Sequence, residues 1–581
     1  MKFSIFDFQF IVVFLLVFVC ASASAAVPLG PSPIWESVDN DFSTGGALAD
    51  VDRDGYLDLF VGNGNDMALN SNSVYMNQNG VLEDIGSWVS FDQGYFGHNA
   101  VGDVDNDGDI DMAVAYYGGV SAGFVPYIHN IYYNIGDSLE RSPSWRNAMS
   151  DTFNSFDCAF GDVDGDGDLD IVFSGGEMYS SRSQSSRLYL NTGGVFETIA
   201  SWTSLLGYAY GVAWGDVDND GDLDLAIGNE QNYNHLYYNN GGVLESSPSW
   251  QSDEIATANQ IAFGDVDGDG WVDLAVSNGA DCRIYFNQAG TLEVHPSWKS
   301  ADAKSNYSCI ALGDVDADGD LDLASGGWWE PLVVFENFGG TLDTVPTWSW
   351  YPGGGKSLVC EEVVWGDVDG DGVLGSCDAL DGDGVKKIFY FLHYPVHAIE
   401  DILVDGDTLA PTDYCYDLNA GWISFKDAPS PGMANVVMCY DYSGDLDLIV
   451  TNWDPPTGNF LLDNISTGIM EYAGARNPDL NHIKMSARPN PFVASTTVDI
   501  SLPVEYAETH GSLSSDIVVA IYDVGGRLVK ELKALVGGPG SHFSAKWDGK
   551  DGDGRKLPAG TYFVSMKSRR LSASCKVVLL R

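Results

Sequence analysis

The residues best placed to do chemistry are aspartates, and they recur in a single pattern. In Gly215-Asp216-Val217-Asp218-Asn219-Asp220-Gly221-Asp222-Leu223-Asp224, carboxylates occupy alternate positions of a short run broken by glycine. With Asp216 as position 1, carboxylates stand at positions 1, 3, 5, 7 and 9, and Gly221 at position 6 permits a sharp turn. The same run gives Asp50, Asp52, Asp54 and Asp58; Asp103, Asp105, Asp107, Asp109 and Asp111; and Asp162, Asp164, Asp166, Asp168 and Asp170. It continues as Asp216, Asp218, Asp220, Asp222 and Asp224; Asp265, Asp267, Asp269 and Asp273; and Asp314, Asp316, Asp318, Asp320 and Asp322. A seventh run keeps Asp367, Asp369 and Asp371 but has Gly375 at position 9, and Cys377–Gly384 after it offers a replacement ligand. A worn eighth copy, Asp441–Asp447, is two residues shorter and lacks the central aspartates, so no ion is expected there.

Four or five carboxylates on one tight loop repel strongly unless a cation joins them. Alternate side chains, a position-7 carbonyl and a water make an all-oxygen shell. That shell suits calcium better than magnesium, which demands stricter octahedral geometry. About six or seven structural calcium sites are therefore expected over these loops. An Asx-rich turn without an ion is the alternative for any single loop. An EF-hand would need Glu at position 12, where Val61, Val114, Phe173, Ile227, Val276 and Ser325 stand instead.

The elements that must hold these loops repeat with them. Loop starts are 53, 59, 54, 49, 49, 53 and 74 residues apart. Trp35, Trp88, Trp145, Trp202, Trp250, Trp298, Trp348 and Trp422 mark eight units. Each unit reads as four short strands; in the fourth they are 211–214, 223–228, 235–239 and 242–244. Leu223, Leu225 and Ile227 there alternate with Asp224 and Ala226. Repeats of this length with four strands predict an all-β propeller of eight blades, with seven as the alternative.

On these loops and this period, residues 35–473 resemble the FG-GAP/VCBS repeats of integrin-α-like calcium-binding β-propellers. The resemblance implies loops between adjacent strands of each blade at the propeller rim, with structural calcium. It implies no particular ligand.

Charge divides the chain. Residues 1–473 carry 13 Lys+Arg against 73 Asp+Glu, and residues 474–581 carry 15 against 10. Expected parts are a signal peptide at 1–25, a propeller at 26–473, a linker at 474–488 and a small Ig-like β-sandwich at 489–581. The signal reading rests on Lys2, the apolar run Ile11–Val19 and the small residues Ala21–Ala25. It predicts a secreted or cell-surface protein with no membrane span. A net charge of −55 opposes nucleic acid or anionic membranes as partners. Eight cysteines remain after the signal, and the group Cys360, Cys377, Cys415 and Cys439 is the first place to seek disulfides, with buried thiols as the alternative.

The C-terminal stretch carries Pro489–Phe492, Tyr522–Arg527, Trp547–Gly549, Pro558–Phe563 and a basic-apolar-basic end at Lys576–Arg581. In this order they resemble the Ig-like module of FlgD-like hook-capping domains and of type IX secretion sorting domains. The second resemblance implies recognition by an export machinery. Asp548, Asp551 and Asp553 resemble one more acidic loop, read here as a turn.

No HExxH motif is present, and Pro395 between His393 and His397 opposes a helical pair. The expected role is a binding surface for extracellular protein or glycan. The alternative is a calcium-assisted polysaccharide lyase, for which Arg53, Tyr56, His98 and His129 are the nearest bases in sequence. Trp328 and Trp329 are candidates for stacking on a sugar or for packing between blades.

Overall fold

A computed structural model describes residues 27–465 except 65–67, 119–127, 179–180, 303 and 305, together with parts of 484–579. In the second region the described parts are 484–488, 496–501, 518–523, 528–532, 535–536, 542–550, 555–558, 560–567 and 572–579. The expected signal peptide, residues 474–483 of the expected linker, and Asp551 and Asp553 lie outside the described residues. The chain divides into two compact units, Met1–Gly468 and Ile469–Arg581.

The first unit is built from antiparallel four-stranded sheets in sequence order. In the fourth, Ala209–Gly215, Asp224–Asn232, His235–Tyr237 and Trp250–Gln251 pair side by side. The alternation of Leu225 and Ile227 with Ala226 does mark its second strand, buried on both faces between neighbouring sheets. The outer strand differs from expectation. Gly242–Leu244 belongs to a turn closed by an Asn239–Leu244 bridge, and Trp250 supplies the edge by pairing with Leu236.

Seven sheets of this kind occur among the described residues. The last is closed by the chain's beginning: Cys360–Gly366, Asp447–Asn452 and Phe460–Leu462 take Trp35–Glu36 as their fourth strand. Two rings of side-chain bonds follow the same sevenfold count. The indole N–H groups of Trp35, Trp88, Trp145, Trp202, Trp250, Trp298 and Trp348 each donate to a carbonyl of the next sheet, at 2.7–3.2 Å. Trp422, the marker of the eighth unit, makes no such bond; it is buried in an insertion. The arrangement is a β-propeller with the seven-blade alternative realised, the eighth unit being spent on the insertion and on the seventh blade.

That insertion leaves blade 7 between its first and second strands. It forms one sheet from Val373–Gly382, Gly432–Ser443, Val396–Val404 and Asp407–Thr408, and another from Ile388–Tyr390, Trp422–Phe425 and Tyr414–Asp417. The two sheets enclose a core of their own, including Phe389, Phe391, Ile402, Ile423, Phe425, Met438 and Tyr440. Cys377 and Cys439 sit opposite one another in paired strands and form a disulfide. Cys158, Cys282, Cys309, Cys360 and Cys415 are buried thiols.

The second unit has two four-stranded sheets. One contains Lys484–Arg488, Thr496–Ser501, His542–Trp547 and Leu535–Val536; the other Leu528–Leu532, Val518–Asp523, Gly560–Lys567 and Ser572–Leu579. Val519, Ile521, Ala545, Trp547 and Val564 are buried, with Trp547 edge-on to Tyr562. Lys484–Arg488, expected in the linker, is a strand because it pairs along its whole length with Thr496–Ser501.

Candidate metal centres

Each aspartate loop joins the first and second strands of a blade, and the backbone fixes its carboxylates. In the fourth loop the Val217 N–H donates to Asp224, the Gly221 N–H to Asp216, and the Asn239 N–H to the other oxygen of Asp224. The Asp220 N–H donates to Asp218 and the Asp222 N–H to Asp220. These Asx turns need left-handed backbone at two positions. The position-6 glycines of the six uninterrupted loops have φ of 89–97°. Position 4 is left-handed too, at Arg53, Asn106, Gly165, Asn219, Gly268, Ala317 and Gly370, a requirement the sequence reading attached only to position 6.

A side chain on the neighbouring blade ties the loops into a ring. The Asn239 amide donates to the carbonyls of Leu223 in its own loop and Val163 in the preceding one. Asn77, Asn134, Asn191, Asn287, Asn337 and Asn464 reach the preceding loop in the same way, and the seven distances are 2.6–2.9 Å. Asn77 of blade 1 bonds to Val368 of blade 7, so the ring closes.

The carboxylates converge. Donor oxygens of Asp50, Asp52 and Asp58 lie within 4.8 Å of one another, as do those of Asp103, Asp105 and Asp111, of Asp162, Asp164 and Asp170, and of Asp216, Asp218 and Asp220. Position-7 carboxylates do something else as well: Asp109, Asp168, Asp222 and Asp320 each accept an N–H from a glycine in the next hairpin of their own blade. Burial, with the neighbouring charges adding to it, lifts the position-9 carboxyls to about 7 for Asp58 and Asp273 and about 8 for Asp111, Asp224 and Asp322. At position 1, burial lifts Asp103, Asp162 and Asp314 to about 6 and Asp216 to about 7. Asp216 Oδ1 and Asp316 Oδ1 are buried without a hydrogen-bond partner. Oxygen donors, converging carboxylates and orphaned buried oxygens fit a hard divalent cation.

The insertion lies over this face. Ser424 Oγ donates to Asp162, the Asp216 N–H donates to Tyr390 Oη, Lys386 Nζ stands 3.7 Å from Asp216, and His397 Nε2 stands 3.1 Å from the Gly55 carbonyl. Between it and blades 1, 2 and 7 is a cavity of about 310 Å³, lined by Arg53, Asp103, Ile110, His397 and Tyr416 among others. Sequence spacing carried no sign that His397 would reach an aspartate loop.

The four bases considered for a lyase do not gather. Arg53 is paired with Asp109 and Asp137, and Tyr56 lies against Gly370. His129 is packed between Phe153 and Phe173, where burial lowers it to about 3. His98 lies in the first strand of blade 2, 3.3 Å from Asp157 and 3.1 Å from Glu362. Burial opposes its charge, but these carboxylates outweigh it and hold His98 at about 9. Glu362 also receives the Gln260 amide, so blades 2, 3, 5 and 7 meet in this cluster.

The seventh loop differs from its expected form. The Val368 N–H donates to Asp447 at 3.0 Å and the Asn464 N–H to its other oxygen at 2.9 Å. These are the bonds that Asp224 accepts in loop four, so position 9 is Asp447, not Gly375, and Cys377–Gly384 runs into the insertion. The signal was the tetrad Gly444-Asp445-Leu446-Asp447, which repeats Gly221-Asp222-Leu223-Asp224.

On the opposite face, Trp328 and Trp329 form the turn between the second and third strands of blade 6. Trp328 is mostly buried, whereas Trp329 is 58% exposed with φ of 60°. In the second unit, Asp548 pairs with Lys530 and Lys550. No helix among the described residues is long and apolar enough to cross a membrane.

A family model for the FG-GAP-like repeat matches residues 50–114, 103–173, 176–227, 216–276 and 265–325. Another, for the FlgD Ig-like domain, matches residues 504–572. No curated protein matches the chain.

Proposed function

We propose that this chain of FG-GAP-like repeats and a FlgD Ig-like domain is a secreted or cell-surface interaction protein. In this reading calcium stabilises its propeller, and the face away from the aspartate loops binds extracellular protein or glycan. The ring of aspartate loops carries the reading: converging carboxylates, buried oxygens without donors and a backbone that presents them to one point. Calcium would be held by positions 1, 3, 5 and 9 and would supply charge neutralisation and cross-linking within the loop. The chain's own residues do the rest, since Asn239 and its counterparts hold each loop against the next blade.

The insertion covers much of the loop face and leaves the opposite face to a partner. Trp329 supports that assignment. A bulky residue in left-handed backbone is strained, and this one presents its indole to solvent. An exposed indole offers a flat apolar surface to a sugar ring or an interface side chain. The C-terminal module would address the protein to an export machinery.

Glycan and extracellular-protein arrays probed with the purified chain and with Trp329→Ala test this function. Binding in calcium that Trp329→Ala weakens at least tenfold, with an unchanged melting temperature, is expected. Equal binding by the variant would remove this face from the reading. Eliminative cleavage of acidic polysaccharides, with no binding on either array, would replace the reading by the lyase.

A further inference from the structure

The seventh aspartate loop is interrupted in sequence and continuous in space. Across the other six, the bond from the position-2 N–H to the position-9 carboxylate joins residues seven apart; in the seventh it joins residues 79 apart. The Gly372 N–H donates to Asp367 at 3.1 Å, the same bond and length as Gly221 to Asp216. Val373 and Ser443 pair as the first rung of the inserted sheet, and the Gly444 N–H donates to the Gly372 carbonyl. Chain exit and re-entry are therefore adjacent, and Asp445 follows Gly372 in space as Asp222 follows Gly221 in sequence. Asp445 packs so closely on Gly372 that a Cβ there would lie 2.3 Å from the aspartate's own.

Asp445 nevertheless lacks what the other position-7 aspartates have. They accept an N–H from a hairpin glycine that leads to the fourth strand of their own blade. Among the described residues blade 7 has no such hairpin, and its fourth strand is Trp35–Glu36 from the other end of the unit. Asp445 is 2% exposed, and its carboxylate oxygens receive no N–H or hydroxyl; what they meet is the carboxyl of Asp371. It faces Asp371 directly, with Asp367 and Asp369 also close. Two carboxylates in contact are acceptors with nothing between them, so the arrangement calls for a cation.

We propose that Asp367, Asp369 and Asp371 from before the insertion and Asp445 and Asp447 from after it form one divalent-cation site, which clamps the root of the inserted sheets to the propeller. The site takes calcium by the same oxygen chemistry as the regular loops and rests on that reading. The family match ends at residue 325, so this loop lies outside the matched repeats. With the ion in place, the two strands leaving the loop are held at Gly372 and Gly444. Without it, mutual repulsion of Asp371 and Asp445 pushes them apart at the point where the insertion is rooted.

Native mass spectrometry of the chain in calcium, with Asp445→Asn and Asp441→Ala, tests the site. Asparagine keeps the shape and removes one charge. Asp441 lies in the inserted strand opposite Gly375, outside the loop. Asp445→Asn should lose one calcium per chain, and Asp441→Ala none. Hydrogen exchange supplies an independent readout. Calcium should slow exchange at least tenfold at Val373–Leu374 and Tyr442–Ser443 in the wild-type chain but not in Asp445→Asn. An unchanged ion count in Asp445→Asn, with the regular loops loaded, overturns this inference alone. A wild-type chain that binds no calcium overturns both this inference and the reading beneath it. If Asp445→Asn does not fold, exchange in the wild-type chain decides, and rates at the insertion root that ignore calcium refute the clamp.

Discussion

Chelation should destabilise the propeller more at pH 8 than at pH 5. Asp58, Asp111, Asp224, Asp273 and Asp322 are buried at position 9, and burial raises them from an ordinary value near 3.8 to about 7 or 8. A carboxyl raised on folding stabilises the ion-free protein fully below its unfolded value, and that stabilisation is lost as pH climbs through the folded value. At 1.36 kcal/mol per pH unit, ionising one such group in an empty loop costs on the order of 4 kcal/mol. One loop is thus a large share of the ~5–15 kcal/mol that holds a domain folded. A bound calcium reverses the sign, because it needs these groups ionised. At 100 times its dissociation constant it stabilises the fold by ~2.7 kcal/mol per site. Scanning calorimetry in EDTA and in calcium at pH 5, 6.5 and 8 measures the effect. The EDTA melting temperature should fall from pH 5 to pH 8, and the gap to the calcium curve should widen. A gap that is absent, or that narrows toward pH 8, would refute the account of these loops.

Three further outcomes are expected. Asn239→Ala leaves the Leu223 and Val163 carbonyls without their amide donor, which should cost about 1–3 kcal/mol and lower the melting temperature; a neutral result would show the ring of asparagines to be dispensable. His98→Gln removes a cation held at about 9 by Glu362 and Asp157 against burial, a stabilisation present below ~6.5 and lost as pH rises through 9. In calcium, its melting temperature should trail the wild type most near pH 6 and least above pH 9, and a deficit independent of pH would count against the charge. Cys309 and Cys360 have sulfurs 3.0 Å apart on the first strands of blades 6 and 7. In an oxidising compartment they should give up two protons and two electrons to a disulfide oxidoreductase and appear cross-linked in non-reducing peptide maps; alkylation of both thiols without reductant would exclude it.

Local chemistry was legible from sequence because it is local. An aspartate loop is closed by bonds between residues two to seven positions apart, so its spacing alone determined the Asx turns, the position-6 glycine and the convergence of carboxylates. Strand alternation around Leu225 determined the buried second strand for the same reason. The outer strand at Trp250–Gln251 escaped the sequence, which pointed to 242–244 instead, since a two-residue edge has no periodicity to read. Blade number belonged to the tertiary structure. The phrase at Asp441–Asp447 looks like an eighth loop in sequence, yet Asp445 and Asp447 complete the seventh across an insertion that folds on its own core. Closure was equally invisible: Trp35 joins Leu461, and Asn77 reaches Val368, through contacts whose partners lie hundreds of residues apart. A repeat counts copies, whereas a ring is counted by which edges meet. Which edges meet depends on the curvature that packed blades impose on the whole chain, and no single repeat contains it.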